Sequence, residues 1–376
     1  MKNRSFEELV QLFDNNRFNE IEADINGIRF LKLRSISRKE TLKDISKLFN
    51  LNIQFLTNSK IFELLFKNLF FNNLIAQSNE EKINRYILSK YATERKDREK
   101  EEENLINEMY QLEIFDWGGS NGNSLEKNIV NNYVKKIKSY QEINNAVEGK
   151  LLHSLRGYTL NSWYNHWTSI LIEDIFKDHI LVLPTIGLVK KIDFFIKNIP
   201  FDLKVTYFPE AFMKQKLKEY EYGVELTQIK KICRKLKISI PKDLKDDALK
   251  RLLLQKLKES QKEEARIFIN HLNNLKKEII NNSIKNPNEL KIWLYENQGE
   301  MRFDASNRFF LILVNETNLS DSWKLKRNIS FLREKIYKHL NSILLTNLET
   351  EFHWKKDNRN YHCKSDILFI KFNENN

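Results

Sequence analysis

The sequence predicts an α/β fold (an α+β mixed sheet), and three observations predict it. Apolar residues recur three and four apart through residues 1–140, which is the helical period. Runs rich in β-branched and aromatic residues, separated by turn residues, follow one another across 179–208. Helical and strand patterns then alternate from residue 287 onward.

Taken in order, "FEELVQLF", "TLKDISKLF" and "KIFELLFKNLFFNNLIA" each read as amphipathic helices, whereas "INGIRFLKLRS" reads as a short strand. "YATERKDREKEEENLINEMYQ" is a charged, exposed helix, and the turn cluster "WGGSNGNS" interrupts the pattern, placing a subdomain boundary near Gly118 to Asn123. "GYTLNSWYNHWTSILIEDIFKD" predicts a helix entered through Gly157, with Trp163, Trp167, Ile170 and Leu171 on its apolar side. Three strands are expected next, at "HILVLPTIG", "KKIDFFIK" and "IPFDLKVTYF".

Lys-rich helices interrupt the α/β texture over residues 211–286. Residues 214–286 hold 19 Lys or Arg against 10 Asp or Glu, so this stretch carries nine of the chain's twelve net positive charges. Afterwards come a helix at "NELKIWLYEN", a strand at "RFFLILVNE", a long helix at "SWKLKRNISFLREKIYKHLNSILL" and a strand at "SDILFIKF". With the basic helices set aside, the order is helix, three strands, helix, strand, helix, strand. The expected organisation is a helical region over 1–140, a core from 141–210 and 287–376, and a basic helical insertion over 211–286.

At 376 residues with 41% hydrophobic content, the chain can bury a large core. It has no run of eighteen apolar residues, and its first residues carry no signal-peptide pattern, so a cytoplasmic protein with no membrane partner is expected. Cys233 and Cys363 lack zinc-ligand spacing; His353, His362 and Cys363 come nearest to a ligand set without a fourth member. No G-x-x-x-x-G-K-[ST] loop is present to cradle a nucleotide. The net charge of +12 favours a polyanionic partner, because neutralised phosphates release condensed counterions.

Chemistry concentrates in "KKIDFFIKNIPFDLKVTYFP". If Lys197 and Asn198 form a two-residue turn, Asp193 faces Asp202, and Lys204 projects from the same side as both. Opposed carboxylates repel, but they become favourable around a hard divalent cation, which seeks oxygen ligands. A nearby lysine can then help deprotonate water or offset charge on an attacked phosphate. "KDLKDD" repeats the D-L-K spelling at Asp243 and Lys245 with no strand around it, so those charges are read as solvated.

The passage from Gly157 to Pro209 resembles a type II restriction endonuclease of the PD-(D/E)XK nuclease superfamily, through "WYNHWTSILIEDIF", "LPTIGLVKKIDFFI" and "IPFDLKVTYFP". Asp193 matches the first acid of the motif, and Asp202 with Lys204 matches its D-x-K; Ile192 stands where the motif's name has proline. The resemblance implies an αβββαβ core, Mg2+ as cofactor, and sequence-specific cleavage of double-stranded DNA leaving 5′-phosphate ends. It also implies a homodimer and a cognate DNA methyltransferase in the same system.

Such nucleases often draw another metal-binding carboxylate from the preceding helix. Glu173 is the choice here, with Asp174 as its rival. Lys230, Lys231, Arg234 and Lys235 form the densest cationic cluster and are expected to contact DNA, within a stretch that loosely suggests a helix-turn-helix. A repair, junction-resolving or other defence nuclease using the same site, and a noncatalytic DNA-binding protein, are the competing readings.

Overall fold

Ser5 opens the chain's first helix with a capping box. Its hydroxyl accepts from the Glu8 backbone while the Glu8 carboxylate accepts from the Ser5 backbone. The computed structural model describes residues 4–115, 129–189, 192–244, 246–297, 307–343, 348–354 and 358–373. The boundary expected near Gly118 to Asn123 lies outside them.

Six helices come first: α1 (Phe6–Asp14), α2 (Phe18–Glu22), α3 (Ile25–Arg34), α4 (Lys39–Leu48), α5 (Asn58–Phe70) and α6 (Asn73–Met109). The expected strand at "INGIRFLKLRS" is α3 instead. Asp24 caps it by accepting from the Asn26 backbone, and residues Asn26 to Leu33 are all buried. A helix enclosed on every side shows no amphipathic period, and this one therefore reads as a strand. Phe30, Phe62, Phe66 and Phe70 knit these helices into one aromatic core that also takes in Ile192 and Phe195.

After α7 (Tyr140–Ala146) and a π-helical turn (Val147–Leu151), α8 runs from Leu152 to Lys177. Gly157 thus lies inside the helix and not at its entry. The buried line is Tyr164, Thr168, Leu171, Ile172 and Ile175, so Trp163 and Trp167 are displaced to its margin.

The three expected strands are present as β1 (Val182–Val189), β2 (Ile192–Ile196) and β3 (Ile199–Tyr207). Four helices follow across the basic stretch: α9 (Glu210–Glu219), α10 (Glu225–Lys235), α11 (Asp246–Glu259) and α12 (Glu263–Lys285). Next come α13 (Asn288–Asn297) and β4 (Arg308–Asn315). The predicted long helix is divided into a 3-10 segment (Leu319–Arg327) and α14 (Ile329–Ser342), with Asn328 between them. A strand outside the expected set, β5 (Glu349–Trp354), pairs antiparallel with β6 (Arg359–Phe372).

The strands form one six-stranded sheet in the order β1-β2-β3-β4-β6-β5. The chain divides into two compact units. Met1–Leu203, Asp304–Arg308 and Asp321–Asn347 make up the first; Lys204–Phe303, Phe309–Ser320 and Leu348–Asn376 make up the second. Among the described residues no helix is long and apolar enough to cross a membrane.

Candidate active site

The β2–β3 hairpin turns on Lys197 and Asn198, whose φ angles are 46° and 71°. Positive φ at both central positions is the primed turn that matches the twist of paired strands. It fixes the pairs Ile196–Ile199, Phe195–Pro200 and Phe194–Phe201, the register the sequence predicts. Asp193 and Asp202 follow directly on the last of these pairs, Phe194–Phe201.

Regular pairing stops there. The Asp193 Oδ2 accepts from the Leu203 backbone N–H at 2.7 Å, an interaction a side chain makes only by folding back over its neighbour strand. Thr185 Oγ1 lies 2.8 Å from the Asp193 carbonyl and 3.3 Å from the Ile192 carbonyl. Successive carbonyls of a flat strand point to opposite sides, so one hydroxyl reaching both marks a local bend. The β1–β2 register slips between Pro184 and Val189, as at a β-bulge, a device that re-aims side chains.

Asp202 is 8% exposed, so it does not lie on a solvated face of the hairpin. Its backbone N–H donates to the Asn307 carbonyl at 2.9 Å. The Asn307 side chain in turn donates to both carboxylate oxygens of Glu22 at 2.8 Å and to the Pro200 carbonyl at 3.1 Å. The buried Arg308 brings its guanidinium within 3.9 Å of the Asp202 carboxylate.

Both faces of the hairpin are packed within the first unit. Phe194 stacks on Phe176 of α8, with ring centroids 5.1 Å apart and planes inclined by 9°. Phe195, one residue on, enters the aromatic core of the first six helices. Lys32 of α3 donates to the Asn198 side chain at 2.6 Å and pins the turn. Burial pushes the Lys32 ammonium below its usual range, although the adjacent Glu80 works the other way. Burial alone would raise the Glu80 carboxyl, but Lys32 and Arg29 more than offset it and hold it below the usual value.

The two carboxylates weighed on α8 have separate roles. Asp174 is buried and accepts a paired contact from Arg98, at 2.8 and 2.7 Å, and a further bond from the Tyr91 hydroxyl. It is committed to α6. Glu173 is half-buried and ion-paired with Lys177, whose ammonium also donates to the Thr185 carbonyl at 3.1 Å. Lys177 and Thr185 thereby connect Glu173 to the bend at Asp193, a chain of contacts that sequence spacing alone does not display.

Lys204 follows on β3 two residues after Asp202 and is half-buried; the division between the compact units falls between Leu203 and Lys204. Lys230, Lys231, Arg234 and Lys235 lie on α10, the last three exposed. Residues 236–245 separate α10 from α11, too long a span for the tight connection of a helix-turn-helix.

The donor set suits magnesium, which takes oxygen ligands and is held by one or two protein carboxylates together with water and phosphate. Asp193 and Asp202 would be those two. No cluster of three or more His, Cys, Asp or Glu suited to a metal ion occurs among the described residues. His353 and His362 are instead engaged by Asn360 and Glu351 on the β5–β6 hairpin. No protein-family model matches the chain, and no curated protein or solved structure matches it either.

Proposed function

We propose that the protein is a magnesium-dependent endodeoxyribonuclease acting on double-stranded DNA, of the type II restriction class within the PD-(D/E)XK superfamily. The observation that carries the reading is the buried Asp202 on β3, next to the two-residue turn that fixes the β2–β3 register, with the Asp193 carboxylate on the adjacent Leu203 N–H and Lys204 two residues further along the same strand. A buried carboxylate is costly unless something compensates its charge. Arg308 lies close enough to offset part of the Asp202 charge, and Asp193 and Asp202 would be the carboxylates to hold a divalent cation.

In this reading Asp193 and Asp202 hold the metal. Magnesium, when bound, supplies Lewis acidity and lowers the pKa of coordinated water. The Leu203 N–H fixes the orientation of the Asp193 carboxylate, and Asn307 with Glu22 fixes the backbone that carries Asp202. Lys204 helps deprotonate the attacking water or offsets charge on the scissile phosphate. Glu173, through Lys177 and Thr185, steadies the bend at Asp193.

The test is digestion of unmethylated phage or plasmid DNA with and without magnesium, followed by sequencing of fragment ends. Discrete fragments ending in 5′-phosphate, seen only with the metal, are expected of a restriction enzyme. Smearing would point to a nonspecific nuclease on the same site. Binding without cleavage would overturn the catalytic reading in favour of a DNA-binding module.

A further inference from the structure

The basic stretch contains its own small core. Ile229, Cys233 and Leu236 from α10 pack with Leu249, Leu253 and Leu257 from α11 and with Ala265 from α12. This leaves the opposite face of α10 to solvent.

Several cations elsewhere in the stretch are matched, while Lys218, Lys242, Arg251, Lys258, Lys277 and Lys285 are exposed and scattered singly over several elements. Glu225 is buried and takes Lys276 at 2.7 Å, with Lys250 at 4.0 Å; Lys250 also reaches Glu210. Lys216 meets Glu219 and Glu289, and Arg266 meets Glu263. Two more lysines are used internally to hold the connector between α10 and α11. Lys256 donates to the Ser239 carbonyl at 3.1 Å, and Lys262 donates to the Leu236 carbonyl at 2.7 Å.

The α10 face differs in density, with five cations within residues 230–237. Lys231, Arg234 and Lys235 are exposed, Lys230 is half-buried, and Lys237 is exposed just beyond the helix end. Among the described residues none of these five has an ion-pair partner. Positions 230 and 234, 231 and 235, and 231 and 234 stand three or four apart, so like charges meet on one surface, which weakens a helix. The helix dipole favours cations in the last turn and so accounts for Arg234 and Lys235. It accounts for neither Lys230 and Lys231, one turn earlier, nor Lys237.

We infer that this face of α10 is a docking surface for the sugar-phosphate backbone of double-stranded DNA, and that it contributes affinity without reading sequence. The choice of DNA rests on the nuclease reading; the existence of an anion-binding face rests on the unmatched cations. Arginine and lysine on an exposed helix suit phosphate contacts, which position a protein on the duplex and carry no base information.

The experiment measures binding of the full chain to labelled 30-base-pair duplexes of two unrelated sequences, in EDTA, across about 50–200 mM salt. Each phosphate contact contributes about −0.9 to the slope of log affinity against log salt. The triple variant Lys231→Gln/Arg234→Gln/Lys235→Gln is expected to bind at least tenfold more weakly, equally on both sequences, with the slope reduced by about 2–3. Lys231→Ala alone is expected to reduce it by about 1, which keeps the test decisive if the triple variant melts early.

Unchanged affinity and slope in these variants would overturn the inference. So would wild-type protein preferring anionic phosphatidylserine vesicles or single-stranded RNA over the duplex. Wild-type protein that binds the duplex in EDTA with the expected salt slope yet never cuts with magnesium would uphold this inference while overturning the nuclease reading.

Discussion

Lys32 and Lys231 both sit on helices in a strongly basic chain, yet their surroundings are opposite. Lys32 is buried on α3, donates to Glu80 and to Asn198, and shares Glu80 with Arg29. Lys231 is exposed on α10 with no counter-charge among the described residues. The same contrast separates larger regions. Around α6 and α8, Arg95, Arg98 and Arg333 are matched by Asp174, Asp178 and Glu102. Along α10 the cations have one another for neighbours. Matched charge fixes architecture; unmatched charge leaves a surface able to take an anionic partner.

The contrast breaks most sharply at Glu80. Glu80→Ala leaves two buried cations uncompensated and is expected to cost about 3–5 kcal/mol in urea unfolding, the range for removing one partner of a buried pair. Lys231→Gln, by contrast, should stay within about 0.5 kcal/mol of wild type. Equal effects at the two positions would erase the distinction.

Lys326 offers a smaller effect of a different kind. Burial pushes its ammonium down to about 8, with Asn165 accepting from it at 3.0 Å. The unfolded chain therefore binds more protons between that value and the usual 10.5, so this group's contribution makes stability rise with pH across that window. Relative to Lys326→Met, wild type should gain about 3 kcal/mol between those limits, at 1.36 kcal/mol per pKa unit. A difference that is flat with pH would show that the buried ammonium costs nothing.

Least in size is Asn198→Ala. It removes the acceptor for Lys32 and places alanine at a φ of 71°. A loss of about 1–3 kcal/mol is expected, read from thermal melting, because the strained conformation adds to the lost bond. No loss would mean that the turn is held by its strands alone.

Much of the fold is legible in the sequence because its elements are amphipathic or punctuated. Lys197–Asn198 between two oily runs foretells both the turn and the register, and "RFFLILVN" reads as a buried strand, as β4 is. Legibility fails where tertiary burial removes the pattern. On α3 the capping signal at Asp24 was the available clue to a helix, since every residue from Asn26 to Leu33 is enclosed. β5 is invisible for another reason: Glu and His recur along "ETEFHW", and the strand is defined by its partner β6.

The site divides in the same manner. Asp193, Asp202 and Lys204 follow from strand period and turn length, which are local. The bend that turns Asp193 onto the Leu203 N–H, the approach of Arg308 and the link through Lys177 and Thr185 depend on packing between distant segments. Asp174 illustrates the limit. Its helix position equals Glu173 in promise, and only the arginines of α6 reveal that it is structural.

Cleavage by the Asp202→Ala protein tests the central claim most directly. Single-turnover cutting of plasmid DNA is compared with wild type across a magnesium titration, with circular dichroism and EDTA-phase DNA binding measured on both. The expected result is a loss of about a hundredfold to a thousandfold in rate, the scale of removing a key charge-stabilising group, with fold and binding retained. Cutting at the wild-type rate by a folded Asp202→Ala protein would contradict the assignment of the β2–β3 hairpin as the catalytic centre.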